Sequence, residues 1–223
     1  MTTTRSNRIA QVLLIVMGFF VGIVLAFIVS RSLLTDVSGL TKEQRKLDVE
    51  RTPVEYVRVP GIGRVAYQFL FEEISEPGES LDSFASRIGP RLREYSDSSD
   101  FEACGVLATD GQRFGVRVGT SQAHAACLNF ASKVPTGMRS VDQTIHSHGT
   151  DRHFNANKND IALLGGQALG SGALRSVAGQ RLDAFSKTDF DGGAGYLATP
   201  DGVLHQAGSG SVREIPAPSV KTD

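Results

Sequence analysis

The residues best suited to chemistry sit close together in Thr144-Ile145-His146-Ser147-His148-Gly149, followed by Asn157-Lys158-Asn159-Asp160. In a β-strand, side chains two apart share a face, so His146 and His148 can both point into one pocket. Two imidazoles and a carboxylate suit a zinc ion and leave a fourth position for water. Asp160, twelve residues beyond His148, is such a carboxylate. Upstream, Glu102 in Glu102-Ala103-Cys104-Gly105-Val106-Leu107 is placed to act as general base for such a water. Among the remaining histidines, His153 falls in the loop between the ligands and reads as exposed, and His124 and His205 read as structural or solvent-facing.

These residues need a frame, and the flanking sequence supplies one. Residues 101–108 and 113–119 flank Thr109-Asp110-Gly111-Gln112 and read as a hairpin carrying Glu102 at its start. Residues 141–148 read as the strand that ends in the histidine pair. Asp160 opens Ile161-Ala162-Leu163-Leu164, a helix start in which it could serve as N-cap. Leu81, Phe84, Ala85, Ile88 and Leu92 recur at helix spacing, with a kink or break expected at Gly89-Pro90 and a loop over Ser96–Asp100. Val54–Val59 is strand-like, 64–74 is ambiguous between strand and helix, and 125–130 reads as a strand or a short helix. Tyr196–Thr199 and Val203–His205 form a second hairpin around Pro200-Asp201-Gly202. The tail 207–223, rich in Ser, Gly and Pro, reads as disordered.

Residues 9–29 form a 21-residue apolar run whose sole polar member is Gln11. As a helix it would rise roughly 31 Å, enough to cross a bilayer core. It exceeds the apolar region of a signal peptide, so it reads as an uncleaved anchor after a tail of residues 1–8. Arg5 and Arg8 before it are balanced by Arg31, Lys42, Arg45 and Lys46 after it, so charge does not decide orientation. A short cytoplasmic tail with the domain outside, at an inner membrane, is the expected arrangement. Gly18 and Gly22 match the small-xxx-small pattern and offer a homodimer contact in the membrane. Residues 30–53 read as a stalk with a short helix over 41–50, and 54–206 as one domain.

Net charge is −1 and no block of basic residues occurs, which argues against a nucleic-acid partner. The two cysteines, Cys104 and Cys127, are not a CxxC pair, which disfavours a cysteine zinc site. They read either as a disulfide in an oxidising compartment or as buried free thiols.

The ordered set Glu102, His146-x-His148 and Asp160 resembles the JAB/MPN/JAMM metalloprotease superfamily and the related JAB-like domains of bacterial and Rhs-type proteins, over roughly residues 80–205. The family pattern is Glu, then His-x-His-Pro, then Ser-x-x-Asp. Here Gly149 stands in place of the Pro, and Asn157 in place of the Ser. The resemblance implies an α/β fold with a mixed, largely antiparallel sheet flanked by helices. It also implies Zn(2+) on His146, His148 and Asp160, with Glu102 and Asn157 as catalytic groups acting on peptide or isopeptide bonds of a protein or peptide substrate. Asn157 would contribute its amide as an oxyanion donor. The rival reading is a catalytically silent JAB-like scaffold in a membrane-associated assembly.

Overall fold

A helix striped with large apolar side chains and a set of apolar strands find their stable arrangement as a helix laid across one face of a sheet. The computed structural model of the chain, which describes residues 51–165, 176–208 and 210–217, has that arrangement. The 9–29 run, Gly18 and Gly22, and the 41–50 helix lie outside the described residues. Among the described residues no helix is long and apolar enough to cross a membrane.

Among the described residues ten strands form, in chain order, β1 (Val54–Val59), β2 (Gly63–Ile74), β3 (Ala103–Thr109), β4 (Phe114–Thr120), β5 (Arg139–Ser147), β6 (His153–Asn155), β7 (Ser176–Ala178), β8 (Gly195–Thr199), β9 (Gly202–Gln206) and β10 (Val212–Ile215). Eight make one sheet in the order β1-β2-β4-β3-β5-β8-β9-β10, and β6 and β7 pair separately. All pairings in the large sheet are antiparallel except β5 with β8. The fold is therefore mixed α/β with a largely antiparallel sheet, as the sequence suggested. The parallel pair matters for the site. The chain from β5 must cross over before it returns as β8, and that crossover passes the histidines.

Helix α1 (Leu81–Ser99) covers one face. Ser80 caps it by accepting the Ser83 N–H, and Phe84, Ile88 and Leu92 pack with Leu107, Val116, Val118, Ile145, Tyr196 and Val203 in the core. The expected break at Gly89-Pro90 is absent. Pro90 gives up one helical hydrogen bond, but Phe84 and Ile88 before it and Leu92 and Ser96 after it are all buried, so packing carries the helix through. Gly89 permits the close approach to β9, since a Cβ there would lie 2.4 Å from Val203 Cγ2. The helix absorbs the expected loop at Ser96 and ends only at Asp100, which adopts a left-handed conformation (φ 61°) and donates its N–H to Ser96 O.

Residues 64–74 resolve as strand. Residues 125–130, expected as strand or helix, form neither. The tail expected to be disordered supplies β10, whose Ile215 is buried in the core. Helices α2 (Lys158–Leu164) and α3 (Lys187–Asp191) are short, and both begin close to the histidine end of β5.

Candidate metal centre

Register places the central residues. Ala103 faces Ser147 and Cys104 faces His146 across the β3–β5 pair. One step beyond the last of these pairs, Glu102 stands across from His148. Partners and i,i+2 neighbours share a face, so Glu102, Cys104, His146 and His148 belong to one face. Ser147 belongs to the other, where its hydroxyl meets Ser96 Oγ at 2.7 Å and Leu92 O at 3.3 Å on α1. The buried guanidinium of Arg93, also on α1, donates to His148 O (2.7 Å) and Gly149 O (3.4 Å). The helix thus grips the backbone of the strand end while the imidazoles point away from it.

The imidazoles converge on Asp189. His146 Nε2 lies 3.1 Å from Asp189 Oδ1, and His148 Nε2 lies 3.4 Å from Oδ2. The three groups each offer a ligand atom, all within 4.8 Å of one another. Neither Nε2 makes an aligned hydrogen bond, although both are buried. His148 Nδ1 meets the carbonyl oxygen of Arg181 at 2.5 Å. A carbonyl only accepts, so Nδ1 carries the hydrogen and, in the neutral ring, Nε2 presents its lone pair to the cluster. This is the arrangement a metal-binding histidine adopts when its far nitrogen is tied to the backbone. Burial works to raise the Asp189 carboxyl, but the two imidazoles beside it outweigh that and hold it far below the usual carboxylate range. Donor types, tautomer and unpartnered nitrogens all fit a divalent cation such as zinc.

Glu102 is 4% exposed, and its Oε1 is buried without a partner. Burial first, then the charges of Asp189 and Asp160, push its carboxyl well above the ordinary range, and Arg93 acts in the opposite sense. It is thus a poor resident anion and a good proton carrier.

The sequence placed Asp160 among the ligands. The structure brings together His146 and His148 but puts Asp189, not Asp160, against them. Asp160 is fully occupied elsewhere. Its Oδ1 accepts the backbone N–H of His124 (2.7 Å), while Oδ2 meets His124 Nδ1 (2.8 Å) and the N–H of Asn157 (2.8 Å). His124 is not a free surface group, being stacked on Phe154 at 4.6 Å and edge-on to Phe101 at 4.8 Å. Asn157 is the N-cap of α2, with Oδ1 accepting from Asn159 N and Asp160 N and Nδ2 donating to Gln122 O (2.9 Å). Asp160 is the N3 residue of that capping box rather than its N-cap.

Asp189 escaped the sequence reading because the ligands were sought within one loop of the histidines, and it lies beyond β7. A signal was present. Ser186-Lys187-Thr188-Asp189 repeats the Ser-x-x-Asp spacing, and Ser186 and Asp189 form a capping box at α3 as Asn157 and Asp160 do at α2. The chain holds two such turns, and the second aims its carboxylate at the imidazoles. Gly149 has a steric reason of its own. A Cβ there would lie 2.2 Å from Asp100 O and 2.5 Å from His124 O, and both are backbone atoms that cannot swing aside.

Cys104 and Cys127 form a disulfide. It fastens the irregular 121–130 segment, which bears His124, to the face of β3 that carries Glu102. The 121–130 segment also takes the Glu102 N–H on Ala123 O (2.9 Å).

No protein-family model matches the chain. No curated protein and no solved structure matches it. The resemblance therefore stands on the residues themselves.

Proposed function

We propose that the chain is a membrane-anchored, zinc-dependent hydrolase of peptide or isopeptide bonds whose domain faces out of the cytoplasm. The observation that carries the proposal is the convergence of two buried imidazole nitrogens, neither in an aligned hydrogen bond, on Asp189, with the Glu102 carboxyl, its Oε1 buried without a partner, on the same face. His146, His148 and Asp189 would hold the metal. Bound zinc would supply Lewis acidity toward a carbonyl and lower the pKa of a coordinated water.

The protein's own part is proton handling and positioning. Glu102 would take a proton from the attacking water at its carboxylate and return it to the leaving amine, the charge of a bound cation offsetting the burial that favours its neutral form. Arg93 fixes the backbone at His148 and Gly149, and the Arg181 carbonyl fixes the His148 ring. The disulfide supports the outward orientation, since such bonds persist in oxidising compartments. The anchor rests on the 9–29 apolar run.

The test is a peptide-library hydrolysis assay on the full chain with zinc present. Cleavage that is abolished in Glu102→Gln, with zinc retained, supports the reading. A chain that binds zinc and cleaves nothing supports the scaffold reading instead.

A further inference from the structure

Many cations of the described domain have an acid beside them, as Arg87 has Glu79, Lys133 has Glu55 and Arg213 has Asp82. One region departs from this. In the β1–β2 pair, Arg58 stands directly opposite Arg64, and like charges in opposed positions destabilise a sheet. Tyr56 lies two residues before Arg58 and so shares their face. Its ring is 44% exposed, with the Arg64 guanidinium 5.1 Å and the Lys158 ammonium 5.6 Å from its centroid. Lys158 arrives from a different element, α2, and donates to Tyr56 Oη at 3.2 Å. That leaves the phenol hydrogen free to be donated outward. Tyr56, Arg64, Lys158 and Asn159 line a recess of about 300 Å³. Among the described residues no carboxylate pairs with Arg58, Arg64 or Lys158; Glu55, three residues before Arg58, is turned to Lys133, and Asp160, two residues after Lys158, is engaged by His124 and Asn157.

We propose that this recess binds a phosphate group. Two cations from two elements line the recess, with a third, Arg58, opposite Arg64 on the same strand face; with no carboxylate beside them among the described residues, they call for an anion of more than one charge. A phosphate dianion answers them better than a single carboxylate, and arginine's planar fork matches its oxygens. Tyr56 Oη adds a neutral donor. The group has two sources, a soluble phosphate ester or the headgroup of an anionic phospholipid. The second is in play because β1 follows the 9–29 apolar run and the 30–53 segment in the chain. The site shares no residue with the metal cluster.

The test uses the full chain in phosphatidylcholine nanodiscs, titrated calorimetrically with inorganic phosphate and with glycerol phosphate. Hydrogen exchange over residues 54–66 is then compared between phosphatidylcholine discs and discs containing phosphatidylglycerol. The expected result is saturable phosphate binding, or protection specific to phosphatidylglycerol, that falls by about tenfold or more in Arg64→Gln/Lys158→Gln, the scale of one lost charge-assisted hydrogen bond. Tyr56→Phe should weaken it less. Arg64→Gln/Lys158→Gln should melt no lower than wild type, since it relieves the Arg58–Arg64 repulsion, and both variants should keep the wild-type zinc content, which separates failure here from failure of the metal reading. Soluble-phosphate binding without lipid-specific protection assigns the free ester as source, and lipid-specific protection assigns the headgroup. Absence of both, or binding undiminished in the double variant, would overturn the proposal.

Discussion

Glu102 shows how much a single residue's surroundings decide. Its carboxyl is buried, unpartnered at Oε1, and shares its region with Asp189 and Asp160. A carboxyl whose folded pKa exceeds its unfolded value contributes stability below the unfolded value and loses it as pH rises through the folded one. In metal-free protein, Glu102→Gln should therefore be more stable than wild type near neutral pH, and the advantage should shrink as pH falls to the ordinary carboxylate range. Thermal melts at several pH values read this, and a constant difference across pH would count against the buried-acid description. Asn157 poses a different question. Its side chain is committed to capping α2 and to Gln122 O, so Asn157→Ala should cost about 1 kcal/mol of stability, as for a lost N-cap, and leave zinc content intact. A further fall in turnover of about a hundredfold would mean that its second amide hydrogen serves the reacting carbonyl.

At the scale of elements, the loop from Ser121 to Phe130 has no regular structure yet is tied down at several points. Cys127 is bonded to Cys104, His124 to Asp160, and Ala123 O to Glu102 N. The disulfide closes a chain separation of 23 residues, a loop whose covalent closure is worth about 3 kcal/mol in the chain-entropy treatment. Reduction by a dithiol should lower the denaturation midpoint accordingly and speed hydrogen exchange over 121–130 before it affects α1. Equal exchange in the oxidised and reduced forms would show that the hydrogen bonds alone suffice. Most of the elements were legible beforehand. The hairpins at 103–120 and 195–206 carry short apolar runs split by turn residues, and the Phe84–Ile88–Leu92 stripe declares its helix. What misled was local chemistry overruled by packing. Pro90 signals a break, but the buried side chains on both sides of it hold one helix, and a Ser- and Gly-rich tail still offers Ile215 to the core. Asp189 carries a local signal in its Ser-x-x-Asp turn, but its approach to the histidines depends on the crossover between parallel strands, which that spacing does not encode.

For the molecule as a whole, the orientation of the domain is the largest functional question. The disulfide and the 9–29 run point the same way. A C-terminal alkaline phosphatase fusion, active only outside the cytoplasm, should be active, and a β-galactosidase fusion at the same site should not. The reverse pattern would place the domain inside and leave Cys104 and Cys127 to be reduced. The β5 face that bears the histidines draws on β3, β5, the 121–130 segment and the crossover through α3, so no fragment of the sheet would be expected to hold the metal alone. The most direct measurement is the zinc content of the purified full chain in neutral detergent, taken beside His146→Ala/His148→Ala, Asp189→Asn and Asp160→Asn. About one zinc per chain is expected, as for a single mononuclear site. It should be lost in the double histidine variant, strongly reduced in Asp189→Asn and largely retained in Asp160→Asn. Full metal content in the histidine variant would contradict the metal centre, and loss in Asp160→Asn with retention in Asp189→Asn would move the third ligand to Asp160.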